Sequence, residues 1–182
     1  MLIKFKNHSP KLGQNVFVAE GAKIIGEIEI GDESSIWFNC VLRADVNFIK
    51  IGKRTNIQDL STVHVWHREF DKKGKLKDAG FPTIIGDDVT IGHNCVIHAC
   101  VIKNRVLIGM NAVIMDNALI EEDSIVGAGS VVTKGKKFPP RSLILGNPAK
   151  FVRELNDEEV SFLKQSALNY VDFKNEFLKD LQ

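Results

Sequence analysis

The chain has 182 residues, of which 44% are hydrophobic, and its 24 Lys and Arg nearly balance its 23 Asp and Glu. That length and composition predict one sizeable globular domain, and the balanced charge argues against a broad surface for nucleic acid or an anionic membrane. Because no apolar run approaches the length of a membrane span and the N-terminus has no signal-like apolar core, we expect a cytoplasmic protein with no membrane partner.

Aliphatic residues recur every six positions along most of the chain. A period of six matches neither the 3.6 of a helix nor the 2 of an uninterrupted strand, so each unit is predicted to be one short strand and a tight corner. Three units close a triangular coil of 18 residues, and stacked coils merge their inward side chains into one column, which predicts a parallel β-helix. The repeating anchors are Val18, Ile24, Ile30, Ile36, Leu42, Ile51, Ile57, Val63, Ile85, Ile91, Ile97, Ile102, Ile108, Ile114, Ile120, Val126 and Val132.

The residue four positions after an anchor is usually small or apolar, as at Ala22, Cys40 and Cys95. The third cysteine, Cys100, also lies in an apolar stretch. An odd number of cysteines in such surroundings predicts buried thiols rather than a disulfide framework.

The spacing of two anchors fixes the position of a histidine pair. Val63 and Ile97 are 34 residues apart, which is one coil of 18 plus 16 more. We assign the surplus to a loop over residues 67–82, extruded at a corner. Val63 and Ile97 then share a face on adjacent coils, so His64 and His98 stack in one outward column about 4.8 Å apart. Two imidazoles at that spacing can share a metal ion.

The same register places a third histidine on a different face. His93 follows Ile91, and the coil below contributes Asp59 to its column. Side chains on different faces diverge, so His93 should meet His64 and His98 only across a boundary between copies of the chain. A ring of three copies suits a triangular coil and predicts a homotrimer. Three imidazoles with an open position suit zinc, and iron(II) or cobalt(II) accept the same ligands.

Two further residues take their places from this register. Leu42 falls on the face of Val63, which puts Arg43 in the column of His64. His67 lies at the mouth of the predicted loop and is a candidate secondary ligand or proton carrier.

The six-residue rhythm ends near the C-terminus. GNPAK, at residues 146–150, is typical of a turn that leaves the solenoid, and Asn156 or Asp157 is predicted to cap a helix with acidic residues in its first turn. We therefore expect a solenoid over residues 1–150 and a C-terminal helical segment over 151–182, packed alongside in the same domain. Its predicted apolar stripe comprises Val160, Leu163, Ala167, Tyr170, Val171, Phe177, Leu178 and Leu181.

Together these motifs resemble the γ-class carbonic anhydrase family, in its bacterial short-loop branch. The resemblance covers nearly the whole chain and rests on RADVN (43–47), TNIQDLSTVH (55–64), IGDDVTIGHNCVIHAC (85–100), GNPAK and the C-terminal LNYV. It implies a mainly β fold, a left-handed parallel β-helix of hexapeptide repeats with a C-terminal α-helix. The left-handed sense comes from the resemblance alone, since it departs from the usual crossover rule.

The resemblance also implies an activity and a set of ligands. The activity is the reversible hydration of carbon dioxide to bicarbonate by a metal-bound hydroxide, a zinc-dependent lyase reaction. The implied homotrimer holds three sites between subunits, each ligated by His64 and His98 of one chain and His93 of the partner subunit.

Other residues receive roles from the resemblance. Gln58 is implied as a hydrogen-bond partner of the metal-bound water or substrate, and Asn169 or Tyr170 as an edge of the pocket. An ion pair between Arg43 and Asp59 is implied at the subunit boundary. Asp45 is expected near that pair.

The chain departs from the family prototype where that protein carries proton-relay glutamates. Here those places hold Val46 and the mixed-charge loop 67–82, with His67 or Glu69 as candidate replacements. Fast hydration needs a proton exported in each cycle, so the sequence supports metal binding better than rapid turnover. Two alternatives therefore stay open, a metal-dependent acyl-CoA thioesterase-type hydrolase and a non-catalytic metal-binding scaffold trimer.

Overall fold

The computed structural model describes residues 1–180 and confirms the six-residue repeat. Every anchor lies in a strand that pairs in parallel with a strand one coil away, and most of these strands are only two or three residues long. In chain order the elements are β1 (Leu2–Ile3), β2 (Lys11–Leu12), β3 (Phe17–Val18), β4 (Lys23–Ile30), β5 (Ser35–Ile36), β6 (Val41–Ile51), β7 (Asn56–Ile57), β8 (Thr62–His64), β9 (Glu69–Phe70), β10 (Leu76–Asp78), β11 (Thr83–Ile85), β12 (Thr90–Ile91), β13 (Val96–His98), β14 (Val101–Ile102), β15 (Leu107–Ile108), β16 (Val113–Ile114), β17 (Leu119–Ile120), β18 (Ile125–Val126), β19 (Val131–Val132), β20 (Lys137–Phe138), β21 (Ser142–Gly146), β22 (Ala149–Glu154) and α1 (Asp157–Asp180).

The parallel pairs sort the anchors into three faces. Face one contains Leu42, Val63, Ile97, Ile114 and Val132. Face two contains Ile51, Ile85, Ile102, Ile120 and Phe138. Face three contains Ile36, Ile57, Ile91, Ile108, Val126 and Ile144. The long strands β4 and β6 turn the corner from face one to face two, which makes these two faces one continuous sheet.

The anchors form the core that fixes this geometry. Ile57, Val63, Ile91 and Ile97 have no exposed surface, and they belong to one continuous aliphatic cluster. Burying one such side chain contributes about 1.5–3 kcal/mol, so the column holds each coil in register with the next. Cys40, Cys95 and Cys100 are free and buried among these residues, as predicted.

The predicted loop over residues 67–82 does leave the coil at a corner, and it carries a short antiparallel hairpin of β9 and β10. The buried amide of Asn47 closes its base. This amide donates hydrogen bonds to the carbonyl oxygens of Trp66, at 3.0 Å, and Ala79, at 2.8 Å. The insertion is thus anchored to β6, beside the RADVN motif.

The GNPAK motif ends the solenoid by reversing the chain. Strands β21 and β22 pair antiparallel across it, so residues 149–154 add a last strand to face three. The segment 151–182 therefore begins as a strand, and its helix starts at Asp157. Asn156 and Glu159 cap that helix reciprocally, each side chain accepting the backbone N–H of the other at 2.9 Å.

Helix α1 packs along face three, as expected for a helix alongside the coils. Leu163 and Ala167 are buried, and the ring of Tyr170 meets that of Trp37 edge-on at 5.5 Å. The fully buried Lys174 donates to Glu33 at 2.7 Å, which compensates its charge. Leu181, assigned to the apolar stripe, lies outside the described residues. Helix α1 is not apolar enough to cross a membrane, and residues 1–180 contain no other helix.

Candidate metal centre

His64 and His98 stack as the register predicts. They are direct partners in the pairing of β8 with β13, and their ring centroids lie 5.1 Å apart. Nδ1 of His64 is 3.1 Å from Nε2 of His98. Two ligands of tetrahedral zinc, each about 2.0–2.1 Å from the metal, lie roughly 3.3 Å apart. The two facing ring nitrogens therefore fit a shared metal ion.

Each ring of this pair is held by an aspartate through its other nitrogen. Oδ1 of Asp45 lies 3.0 Å from Nε2 of His64, and Oδ1 of Asp116 lies 2.6 Å from Nδ1 of His98. A carboxylate in this position fixes the ring orientation and leaves the other nitrogen available to a metal. We call His64, His98, Asp45 and Asp116 the paired half-site.

The pKa shifts of His64 and Asp45 suit metal binding. Burial lowers the pKa of His64, and the nearby charge of Arg43 adds to this, although the contact with Asp45 opposes it. For Asp45, burial acts to raise the pKa, but hydrogen bonds from His64 and Arg43 outweigh it and lower the pKa. A neutral imidazole beside an ionised carboxylate is the form that binds a metal.

His93 lies on face three, where the register predicts it, and its Nδ1 is 2.8 Å from Oδ2 of Asp59. The other carboxylate oxygen of Asp59 accepts the backbone N–H of Phe38 at 3.0 Å. We call His93 and Asp59 the single half-site. Within residues 1–180, no group of three His, Cys, Asp or Glu side chains is arranged to hold a metal ion. The paired half-site on face one and the single half-site on face three are thus separate clusters of side chains within one chain.

Gln58 and Tyr170 lie on the side of the single half-site. Gln58 is buried next to Asp59 in sequence, and its amide donates to Asn56 at 3.1 Å. Burial raises the pKa of the Tyr170 hydroxyl, and the negative charge of Asp59 raises it further. Both side chains therefore lie on face three, which carries His93, and not on face one with the paired half-site. Asn169 accepts a hydrogen bond from Gln165 within the helix.

Arg43 pairs with Asp45 on face one. The ion pair implied between Arg43 and Asp59 is not formed within one chain, where Asp59 contacts His93 instead. This ion pair was expected at the boundary between two copies of the chain, and across that boundary it remains a prediction.

His67 is half-exposed at the start of the insertion, 3.6 Å from Glu69. It lines a cavity of about 340 Å³, together with His8, Val46 and Asp45. The structure does not bring His67 to the facing nitrogens of His64 and His98. His67 and Asp45 line the same cavity, and Asp45 contacts His64 through Nε2, the ring nitrogen that does not face His98.

Asp116 was missed by the sequence reasoning. It follows His98 by 18 residues, one full coil, and the coil length could have pointed to it. Asp116 comes two residues after its anchor Ile114, whereas His98 comes one residue after Ile97. The contact is therefore diagonal between columns, so the coil length makes Asp116 a candidate and side-chain geometry is needed to establish the contact.

The chain is similar to known proteins over most of its length. The family model described as dynactin subunit 5 matches residues 12–175. Gamma carbonic anhydrase 2, mitochondrial, of Arabidopsis thaliana is 43% identical over 171 residues, which are 94% of this chain and 59% of that relative. The chain thus spans less than two thirds of the plant protein's length. A probable carbonic anhydrase of Methanocaldococcus jannaschii is 48% identical over 160 residues, covering 88% of this chain and 93% of the relative.

A solved structure has the same architecture throughout. A hexapeptide transferase family protein from Anaplasma phagocytophilum superposes with a TM-score of 0.88 at 39% identity. The match covers 97% of this chain and 98% of that one.

Proposed function

Since this chain belongs to the γ-class carbonic anhydrase-like family of hexapeptide-repeat proteins, we propose that it is a zinc-dependent lyase that hydrates carbon dioxide reversibly. Its sites would lie between the subunits of a homotrimer, where the paired half-site of one subunit meets the single half-site of the next. Bicarbonate would be the product of hydration and the substrate of the reverse reaction.

One observation carries this proposal. Each of the three candidate ligand histidines contacts its own aspartate, at 3.0 Å for His64, 2.8 Å for His93 and 2.6 Å for His98. His67 and His8 lack a hydrogen bond to a carboxylate in the described part of the chain. His67 is 3.6 Å from Glu69, beyond hydrogen-bond distance, and no carboxylate in residues 1–180 bonds to His8.

Carboxylate–histidine pairs are the usual support of metal ligands, because the carboxylate selects the tautomer and raises the basicity of the free nitrogen. A solvated surface histidine needs no such partner. Three of these pairs, distributed over two half-sites, favour a shared metal centre over a set of unrelated surface residues.

The residues of the chain have separate tasks in this proposal. His64 and His98 would bind zinc together with His93 of the partner subunit, and neutral His64 needs no proton removed before it binds. A bound zinc ion would act as a Lewis acid and lower the pKa of a water molecule to near 7. Gln58 is a buried amide that can orient a polar substrate atom, and Tyr170 would close the apolar side of the pocket.

The proton released by hydration must reach bulk water in each cycle. Asp45 contacts His64 and also lines the 340 Å³ cavity, which His67 lines as well. We assign His67 as the proton carrier to solvent. Val46, next to Asp45, has no ionisable group and cannot take this role.

Metal analysis of the purified protein tests the proposal. His93→Ala should lose zinc and keep the trimer, as measured by elemental analysis and by light scattering after size-exclusion chromatography. His8→Ala is the matched control and should retain both. Unchanged zinc in His93→Ala would refute the shared site.

A second candidate function is a metal-binding scaffold without turnover. It is favoured by Val46, which is 40% exposed at the place beside Asp45 where a proton carrier would be expected. Stopped-flow hydration of carbon dioxide separates the candidates. A rate equal to that of the metal-free control in protein with full zinc occupancy would favour the scaffold, and hydrolysis of acyl-CoA thioesters in parallel would identify a hydrolase.

A further inference from the structure

An aromatic ring and a lysine form the rim of the paired half-site. Trp66 lies two residues after His64, and its ring meets that of His98 edge-on with centroids 6.4 Å apart. The side chain is 41% exposed. Lys134, from the corner after β19, places its ammonium 5.6 Å from the centroid of the Trp66 ring. This cation–π contact holds a positive charge over the rim.

The backbone fixes Lys134 at this place. The N–H of Gly135 donates to the carbonyl oxygen of Asp116 at 2.8 Å, and the N–H of Lys136 closes the turn on Thr133 at 3.2 Å. The loop that carries Lys134 is thus bonded to the residue that orients His98. Its position relative to the paired half-site is set by the coil stack.

The charge of Lys134 is available to a ligand. Lys134 is an exposed residue, and no ion pair between its ammonium and a carboxylate is formed within residues 1–180. By contrast, the arginines Arg54 and Arg105 at other corners are each neutralised by a bidentate aspartate. An unneutralised cation beside a candidate metal centre attracts small anions and raises their local concentration.

We propose that Lys134 and Trp66 form an anion-binding subsite at the rim of the paired half-site, and that its ligand is the bicarbonate ion. The identity of the ligand rests on the proposed function. The anion subsite itself rests on the ring, the ammonium and the loop geometry. In the reverse reaction the subsite would collect bicarbonate from solution, and in the forward reaction it would receive the product before release.

Tryptophan fluorescence tests the subsite without reference to turnover. The chain has two tryptophans, and Trp37 is only 7% exposed, so collisional quenchers report Trp66. Iodide is an anionic quencher and acrylamide a neutral one. Removing one positive charge about 6 Å away should lower the iodide quenching constant about two- to threefold at low ionic strength, because the local iodide concentration falls. Acrylamide quenching should not change, and the effect should shrink in high salt.

The variants are Lys134→Gln, Lys134→Arg and, as a control in the same loop, Lys136→Gln. We expect the two- to threefold fall in the iodide quenching constant in Lys134→Gln alone, with Lys134→Arg close to the natural chain. Equal iodide quenching in Lys134→Gln and the natural chain would overturn the proposal. An equal fall in Lys136→Gln would also overturn it, since the effect would then be one of net charge.

Bicarbonate competition identifies the anion. At constant ionic strength, bicarbonate should protect Trp66 from iodide more than chloride does, and Lys134→Gln should abolish the difference. No difference between the two anions in the natural chain would refute the bicarbonate assignment. If the zinc-loaded protein has no hydration activity while the iodide results hold, the proposed function fails and the anion subsite stands.

Discussion

The carboxylate of Asp116 lies 2.6 Å from Nδ1 of His98, one coil further along the stack. The contact leaves Nε2 of His98 facing His64. Asp116 on one coil thus orients the imidazole of His98, a candidate ligand on the coil before it. Because the coils are stacked rigidly, the orientation of the ring is fixed.

Asp116→Asn should therefore weaken metal binding. The amide keeps the shape but loses the charge that raises the basicity of the ring, and loss of such a partner typically costs 10- to 100-fold in affinity. Competition with a chromophoric chelator gives the zinc dissociation constant. Asp172→Asn, at an exposed acid on α1, is the control and should bind as the natural chain does. Equal affinities in both variants would mean that Asp116 does not orient a ligand.

His67→Ala should slow the buffer-limited rate of carbon dioxide hydration and leave zinc content unchanged. The reason is that His67 lines the cavity shared with Asp45 and is half-exposed, as a proton carrier to solvent must be. Added imidazole buffer should restore much of the rate. If His67→Ala and the natural chain depend on buffer concentration identically, His67 carries no protons.

The three cysteines should not react with thiol reagents in the folded protein. Burial raises the pKa of Cys40 and Cys95 to about 11, and that of Cys100 higher still. The thiolate is the reactive form, so labelling by a disulfide reagent at pH 8 should be negligible until denaturant is added, when three thiols should appear. Rapid labelling of the native chain would contradict the buried geometry.

These thiols also make stability depend on alkaline pH. Their folded pKa lies above the value of 9.0 in the unfolded chain. The contribution of Cys40 and Cys95 to stability is therefore full below pH 9 and is lost as the pH rises through about 11. Thermal unfolding in that range should show a falling melting temperature, and Cys40→Ala should reduce the slope.

The cap of helix α1 predicts a response to acid. Hydrogen bonds from Arg153, and then from the backbone N–H of Asn156, lower the pKa of Glu159 to about 2 from 4.5. A lowered carboxylate pKa stabilises the fold above pH 4.5, and the contribution disappears as the pH falls through about 2. Glu159→Gln should lower the melting temperature at pH 7 and should match the natural chain near pH 2. Glu158→Gln is the neighbouring control, and an equal loss there would exclude the cap as the cause.

The sequence was sufficient for the register, for the insertion over residues 67–82 and for the C-terminal helix with its cap, but not for all of the side-chain contacts at the site. The six-residue period fixes which residues are neighbours on adjacent coils, so the stacking of His64 with His98 and of His93 with Asp59 could be predicted. The diagonal contact of Asp116 with His98 depends on rotamers, which a period does not encode. The antiparallel strand β22 lacks the repeat, since the chain reverses at GNPAK and follows different pairing rules.

The hairpin within the insertion over residues 67–82 could not be predicted from the sequence either. Its hairpin has exposed residues on both strands and no inward anchor, so no apolar pattern marks it. Its base is set by the amide of Asn47, a buried polar contact that sequence spacing does not reveal.

The central claim is that the metal site needs residues of two chains, and subunit mixing tests it most directly. His93→Ala keeps an intact paired half-site, and His64→Ala keeps an intact single half-site. Each variant alone should bind no zinc. After refolding together in equal amounts, random trimers should recover about one quarter of the natural zinc content, because one boundary in four then joins two intact halves. Zinc content that stays at zero in the mixture, with mixed trimers verified by native mass spectrometry, would contradict a site shared between subunits.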